Sequence, residues 1–419
     1  MKYKLSKPTN EINITIDLPA SKSVSNRLLM LNSIFNNKFK LENISDCDDT
    51  RAMQHALTIS DETIDIGAAG TAMRFLTAYF ATQPNKVKIL TGSARMKQRP
   101  IKALVDALKL LDAQIEYVEK EGYPPIKIYG KQLVGGEIEI DGGISSQYIS
   151  ALIMIAPLTS KGLTIRLKGN VISKPYIDMT LKMMQKFDVG FEWNENRILI
   201  KPVSTFRDEN INKKELVVES DWSAASYWFE IVAMAQNASV SLKVLQADDS
   251  QGDKIVTQLF KQLAVGHQYT ADGLLLTKQK FRADFFEADF TDCPDLAQTF
   301  VVTLAAKNIP FRISGLQSLK IKETNRIAAL QNELAKFGLQ IFETQENVLE
   351  YHVQNFNELD FSKSITVETY EDHRMAMAFA PLSLLFENVV INHPEVVSKS
   401  YPQFWNDLKS AGVNFDKIQ

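Results

Sequence analysis

Cysteine is scarce in this chain: there are two among 419 residues, Cys47 and Cys293. Two thiols so far apart give no disulfide framework and no cysteine-based zinc site. Long hydrophobic runs are missing as well. None reaches the roughly 18 residues that a membrane-crossing helix needs. The N-terminal stretch is polar and lacks the apolar core of a signal peptide, so a cytoplasmic protein is expected. Charge of one sign is also missing, since the formal net charge is only -3. That argues against a general nucleic-acid binder, although it leaves room for a locally basic cleft. No Gly-x-x-x-x-Gly-Lys-Ser/Thr phosphate loop occurs, and no compact His-x-x-x-His pair. ATP and metal chemistry therefore lack support. What is present is ordinary for a soluble globular protein, with 45% apolar and 23% charged residues. At this length two domains are the default.

The densest polar cluster is Ala20-Ser21-Lys22-Ser23-Val24-Ser25-Asn26-Arg27. It falls at a loop-to-helix junction, after Pro19 and before the apolar run Leu28-Leu29-Met30-Leu31. A helix start offers unpaired N–H groups and a partial positive charge. Hydroxyl, Lys and Arg side chains added there suit a phosphate or a carboxylate. A serine cap followed by two solvated cations reads the same residues more plainly.

A repeated pattern runs along the chain, in which an amphipathic helical stretch leads to a short strand. Pro100 opens one case, running through Leu104, Leu108 and Leu111 to Gln114-Ile115-Glu116-Tyr117. Pro at a first helical turn is favourable. Pro175 opens another, and Lys322 to Phe337 predicts a third, ending at Gly338. Tyr401, Asp49 and Asp253 mark shorter or weaker cases. The mean spacing is about 70 residues, which suggests repeated α/β units, three in each of two domains. Second helices are expected over 146–155, 224–235, 295–306 and 375–385. They are apolar nearly all round, so they belong in domain centres with sheets outside.

The distinctive polar residues recur at helix starts. Gly67-Ala68-Ala69-Gly70-Thr71 permits close backbone approach to a ligand, or simply tight helix packing. Arg95-Met96-Lys97-Gln98-Arg99 concentrates cations before Pro100. Ser145-Ser146-Gln147 and Ser173-Lys174-Pro175-Tyr176 put hydroxyls ahead of helices. Asp295 is read either as a helix cap or as a carboxylate presented to substrate. Lys322 and Arg326, four apart, are expected on one face of a helical turn, with Glu323 beside them. Asp372-His373-Arg374 and Ser398-Lys399-Ser400 complete the series. So many anion-friendly helix starts in both halves favour a ligand with several negative charges, or two anionic ligands.

These strings, in this order from Lys22 to Trp405, resemble the enolpyruvyl transferase family. The resemblance implies a two-domain inside-out α/β barrel with three βαβαββ units per domain. It places one domain at 18–220 and the other at 1–17 plus 221–419, with the active site in the cleft between them. It further implies transfer of the enolpyruvyl group of phosphoenolpyruvate to the 5-hydroxyl of shikimate 3-phosphate, with release of phosphate, on the pathway to chorismate and aromatic amino acids. No cofactor, metal, nucleic acid or membrane is expected to take part, and a monomer is expected.

By the same resemblance, Ser23 and Arg27 hold the shikimate carboxylate. Ser145, Ser146, Ser173 and Lys322 hold its phosphate, and Gln147 and Tyr176 meet its ring. Lys22, Arg95, Gln147 and Lys399 face the phosphate of phosphoenolpyruvate, with Gly70 in the same pocket, while Arg326 and Arg374 clamp its carboxylate. Asp295 orients or deprotonates the 5-hydroxyl. Glu323 protonates the methylene carbon, with Lys22 and His373 assisting. The family commonly has Asn at Ala68, Pro at Phe75 and Asp at Asn325. The sister activity on a UDP-sugar generally places a cysteine in the loop that 91–99 occupies here, and this loop has none. A non-catalytic metabolite-binding protein on the same fold would need a broken acid/base set, whereas Asp295, Glu323 and His373 are all present.

Overall fold

The computed structural model describes residues 1–6, 11–203, 214–280 and 283–418. The chain divides into two compact units, one of residues 20–218 and the other of 1–19 with 219–419. Each has its own hydrophobic core.

The 20–218 unit contains helices α1 (Lys22–Ile34), α2 (Asp48–Thr58), α3 (Gly70–Ala81), α4 (Lys102–Leu110), α5 (Ser146–Ile155) and α6 (Lys174–Lys186). One sheet orders Thr63–Asp65, Val87–Thr91, Ile126–Tyr129 and Gln114–Tyr117. Its first pair is parallel and the other two are antiparallel. The sheet of Gly136–Asp141, Leu163–Lys168, Arg197–Ile200 and Phe191–Asn194 repeats that order. With α3 and α4, or α5 and α6, between the strands, each is a βαβαββ unit. Among the described residues the third sheet has two strands, Lys40–Glu42 and Glu215–Val217, paired in parallel.

The other unit contains α7 (Trp222–Met234), α8 (Val256–Leu259), α9 (Ala297–Ala306), α10 (Arg326–Lys336), α11 (His373–Phe379) and α12 (Phe404–Ser410). Its three four-stranded sheets follow the same plan. The N-terminal strands complete two of them. Lys2–Ser6 lies between Asn388–Asn392 and Asn414–Ile418, antiparallel to both. Ile12–Ile16 runs parallel to Ala238–Lys243.

Strand alternation explains the layering. In Gly136–Asp141, Ile138 and Ile140 are buried, while Glu137 and Glu139 face outward. Those two carboxylates pair with Arg166 and Lys168 on the neighbouring strand. Helices α3, α5, α7, α9 and α11 are buried almost all round, as their composition predicts. The helix expected from Lys322 begins instead at Arg326, because the Asn325 side chain accepts from the Ala328 N–H and caps it there. Lys322 and Glu323 thus lie in the preceding loop, not on a helical face. The helix expected from Asp295 likewise starts at Ala297, after a 3-10 turn at Pro294–Leu296.

A helix buried all round leaves little room for a charge, and Glu230 of α7 shows the consequence. Its side chain is fully buried, and the Thr303 hydroxyl on α9 donates to it at 3.2 Å. Burial pushes this carboxyl well above its ordinary value, against the Thr303 hydrogen bond. The folded state therefore holds a proton that the unfolded chain releases at about pH 4.3. Stability contributed by that proton is complete below this pH and is lost as pH rises through the folded value. Glu230→Gln keeps the shape and removes the titration. Urea unfolding should show the variant more stable than the parent at pH 8, by about 1.4 kcal/mol per pH unit of raised affinity, with the gap closing towards pH 4. A constant gap across that range would overturn this account.

Candidate active site

In the 20–218 unit, Ser21 caps α1 by accepting from the Val24 N–H. Lys22 then opens the helix and lies 3.4 Å from Asp49 of α2. One turn later Arg27 is almost wholly buried. It donates to the Thr180 hydroxyl at 2.7 Å, the Ser23 carbonyl at 3.0 Å, the Ser150 hydroxyl at 3.3 Å and the Tyr176 carbonyl at 3.5 Å. Its guanidinium sits over the Phe75 ring, 5.4 Å from the centroid, within cation–π range. Burial lowers Arg27 to about 10, so it still carries its charge at neutral pH. All these hydrogen-bond partners are neutral. Arg27 thus ties α1 to α5 and α6 while its countercharge stays open to a ligand.

The other residues singled out in this unit stand at helix starts. Ser145 caps α5, accepting from the Gln147 N–H, and Ser146 begins that helix. Gln147 donates to the Thr71 hydroxyl of α3 at 3.1 Å, which brings it beside Gly70. Ser173 precedes α6 in a left-handed conformation, with φ of 55°. Gly70 opens α3, where a Cβ would come within 2.6 Å of the Arg99 guanidinium and 3.1 Å of Arg74. Only glycine fits without displacing those two cations. Arg95 immediately precedes the 3-10 turn Met96–Gln98. Ala68 is exposed in the turn before α3, while Phe75 is buried within it.

In the other unit the singled-out residues converge. Asp295 lies 2.9 Å from Arg374, 3.3 Å from Arg326 and 3.4 Å from Lys322. Glu323 bridges Arg326 at 3.0 Å and Lys399 at 2.8 Å. Asp372 holds Arg326 through two hydrogen bonds, of 2.7 and 3.3 Å, and accepts from the Arg374 N–H as the cap of α11. His373 is buried, with Nδ1 3.7 Å from Asp372. Four cations, Lys322, Arg326, Arg374 and Lys399, thus meet three carboxylates, Asp295, Glu323 and Asp372. Burial acts to lower Arg326, but Asp372, Glu323 and Asp295 outweigh it and raise its proton affinity. Burial pulls the Lys322 ammonium below its ordinary value, against the attraction of Asp295. The arrangement can take an anion, offer it several guanidinium and ammonium donors, and keep two carboxylates next to it.

Residues 6–59 and 56–408 match the family described as EPSP synthase (3-phosphoshikimate 1-carboxyvinyltransferase). The chain belongs to the EPSP synthase family. It is 47% identical to the 3-phosphoshikimate 1-carboxyvinyltransferase of Bacteroides fragilis strain YCH46 over 413 residues, 98% of each chain. It is 35% identical to that of Aliivibrio salmonicida over 433 residues, covering 97% of this chain and 98% of the other. A solved EPSP synthase from Acinetobacter baumannii has the same fold, with a TM-score of 0.76 at 19% identity and full coverage of both chains.

Several partners were not singled out from sequence. Asp49 was visible only as a helix start, Thr71 stood in a quoted motif with no role of its own, and Thr180 and Ser150 look like ordinary helix residues. Asp372 stood in a quoted motif with no role, yet it is the chief partner of Arg326. No local pattern pairs residues 46 positions apart. Asp372→Asn should cost about 3 kcal/mol in urea unfolding, since it leaves a buried guanidinium short of its main countercharge. A loss below about 1 kcal/mol would mean that Asp295 and Glu323 suffice.

Proposed function

We propose that this chain transfers the enolpyruvyl group of phosphoenolpyruvate to the 5-hydroxyl of shikimate 3-phosphate through the residues described above. The observation that carries the assignment of roles is the network around Arg326. It gathers Asp295, Lys322, Glu323, Arg374 and Lys399 from four separate stretches of chain. Such a set suits a substrate with two anionic groups and a reaction that moves protons at both ends.

Arg27, with Ser23, takes the shikimate carboxylate. Ser145, Ser146, Ser173 and Lys322 take the 3-phosphate, and Gln147 and Tyr176 meet the ring. Lys22, Arg95, Gln147 and Lys399 serve the phosphate of phosphoenolpyruvate, near Gly70. Arg326 and Arg374 serve its carboxylate. Holding two anionic substrates together against their repulsion supplies much of the catalysis.

Glu323 gives its proton to the methylene carbon, and Asp295 takes the proton of the 5-hydroxyl as its oxygen bonds to C2. The tetrahedral intermediate then returns a methyl proton to the Glu323 carboxylate and expels phosphate, forming the enol ether. Lys399 and Arg326 both lie within salt-bridge distance of the Glu323 carboxylate. Phosphoenolpyruvate brings its own negative charges to those cations. Each share it takes leaves Glu323 better able to carry a proton, so acid catalysis is coupled to substrate binding. Lys22 and the buried His373 assist proton movement. We read the enzyme as a cytoplasmic monomer needing no cofactor or metal. Among the described residues, no helix is long and apolar enough to cross a membrane.

Phosphate release should require shikimate 3-phosphate and phosphoenolpyruvate together. Release with a UDP-sugar in place of shikimate 3-phosphate, and none with the expected pair, would overturn the reading. Glu323→Gln should lower turnover by ~100-fold or more while shikimate 3-phosphate binding, followed by calorimetry, changes little. Unchanged turnover would remove the acid role from Glu323.

A further inference from the structure

Asp253 has no part in the scheme above, yet it is a buried carboxylate beside the Arg326 network. It is 4% exposed and sits in the 3-10 turn Gly252–Ile255. The hydroxyl of Ser223, in the first turn of α7, donates to its Oδ2. The same Ser223 oxygen lies 3.5 Å from Nη2 of Arg374, which is 2.9 Å from Oδ2 of Asp295. The other terminal nitrogen, Nη1, donates to the Tyr227 hydroxyl at 3.4 Å. A serine has one hydrogen to give. While Asp253 holds it, the Ser223 lone pairs are turned to accept from Arg374. The guanidinium is thereby held at Nη2 by Ser223 and Asp295 and at Nη1 by Tyr227.

The geometry points to Asp253 as a positioning residue: acting through Ser223, it sets Arg374 for the carboxylate of phosphoenolpyruvate and so governs affinity for that substrate. This rests on the reading that Arg374 binds that carboxylate. The charged and titratable groups facing Asp253 come from several elements. They are Asp295, Arg374 on α11, Asp221 at the cap of α7, and the thiol of Cys293. Burial first, and then repulsion from Asp295, pushes Asp253 up to about 6, against the Ser223 hydrogen bond and Arg374. The Cys293 thiol is raised by burial and stays neutral in this range. Above pH 6 Asp253 is charged and commits the Ser223 hydrogen. Below it, a protonated carboxyl can give its own hydrogen to Ser223, and the orientation is lost.

The test is steady-state kinetics on the full chain from pH 5 to 8, varying each substrate in turn, for the parent and for Asp253→Asn, Ser223→Ala, the double variant and Arg374→Lys. At pH 7.5, Asp253→Asn should raise KM for phosphoenolpyruvate about tenfold, with kcat within about threefold and KM for shikimate 3-phosphate within about twofold. Ser223→Ala should do the same. The double variant should be no worse than either single one, because both act along one path. The ratio of parent to Asp253→Asn in kcat/KM should shrink as pH falls through about 6, where the parent's own carboxyl is neutral; titration of the substrate cancels in that ratio. Equal rises in both KM values, no rise at all, or a ratio flat with pH would overturn the proposal. If Arg374→Lys weakens phosphoenolpyruvate while Asp253→Asn and Ser223→Ala do not, the positioning role alone falls. If Arg374→Lys leaves that KM unchanged, the underlying reading of Arg374 falls instead. Ser223→Ala keeps the test open should Asp253→Asn fail to fold.

Discussion

The pairing of Arg326 with Asp372 is the contact on which the charged cluster of the 1–19 and 219–419 unit depends. Both side chains are essentially removed from water, and they meet through two hydrogen bonds. An unpaired guanidinium at such depth would be strongly destabilising. Asp372 also caps α11, so one carboxylate fixes the side chain that opens α10 and the backbone that presents Arg374. Asp295 and Glu323 then reach the outer edges of the same guanidinium. Move Arg326, and both candidate acid/base groups lose their reference point.

Arg27 solves the same burial problem in the opposite way. It is as deeply buried as Arg326, but two hydroxyls, two carbonyl oxygens and an aromatic face surround it. These take four of its five N–H donors without cancelling its charge. The difference shows in the proton affinities, since burial lowers Arg27 whereas three carboxylates raise Arg326. A cation left uncompensated in a dry site is suited to a single anionic group arriving from solution. A cation shared among carboxylates is suited to a site where charge must shift during reaction. The proposed division of labour, with Arg27 binding substrate and the Arg326 cluster serving acid–base chemistry, rests on that contrast.

Much of this was legible in the sequence. Four of the five buried helices, α5, α7, α9 and α11, were visible as apolar stretches, and the strands as alternating ones, because burial on one or all faces writes directly into residue pattern. The helix-start clusters were visible because hydroxyls, glycines and cations stand out against apolar helices. What escaped was mostly pairing at long range. Asp49 with Lys22, Asp372 with Arg326 and Ser223 with Asp253 join residues from different helices and turns. Local geometry escaped at Lys322, where the four-residue spacing to Arg326 imitates a helical turn. The Asn325 cap delays the helix past it. Lys322 and Arg326 still converge, on Asp295, by a loop path that spacing alone does not predict.

The buried helices also explain why the chemistry collects where it does. A helix surrounded by apolar neighbours has no solvated face on which to carry functional groups. Its first turn is the place where N–H groups lack internal partners and must find a cap, water or ligand. Gly70 and Thr71 open α3, Ser146 and Gln147 open α5, and His373 and Arg374 open α11. Asp295 stands just before α9. The partial positive charge at each start adds to the side-chain cations and favours the same ligands. Central helices in a layered α/β unit therefore do more than fill the core. Their burial gathers polar groups at their N-terminal ends, where the helix dipole and unpaired N–H groups favour negative charge.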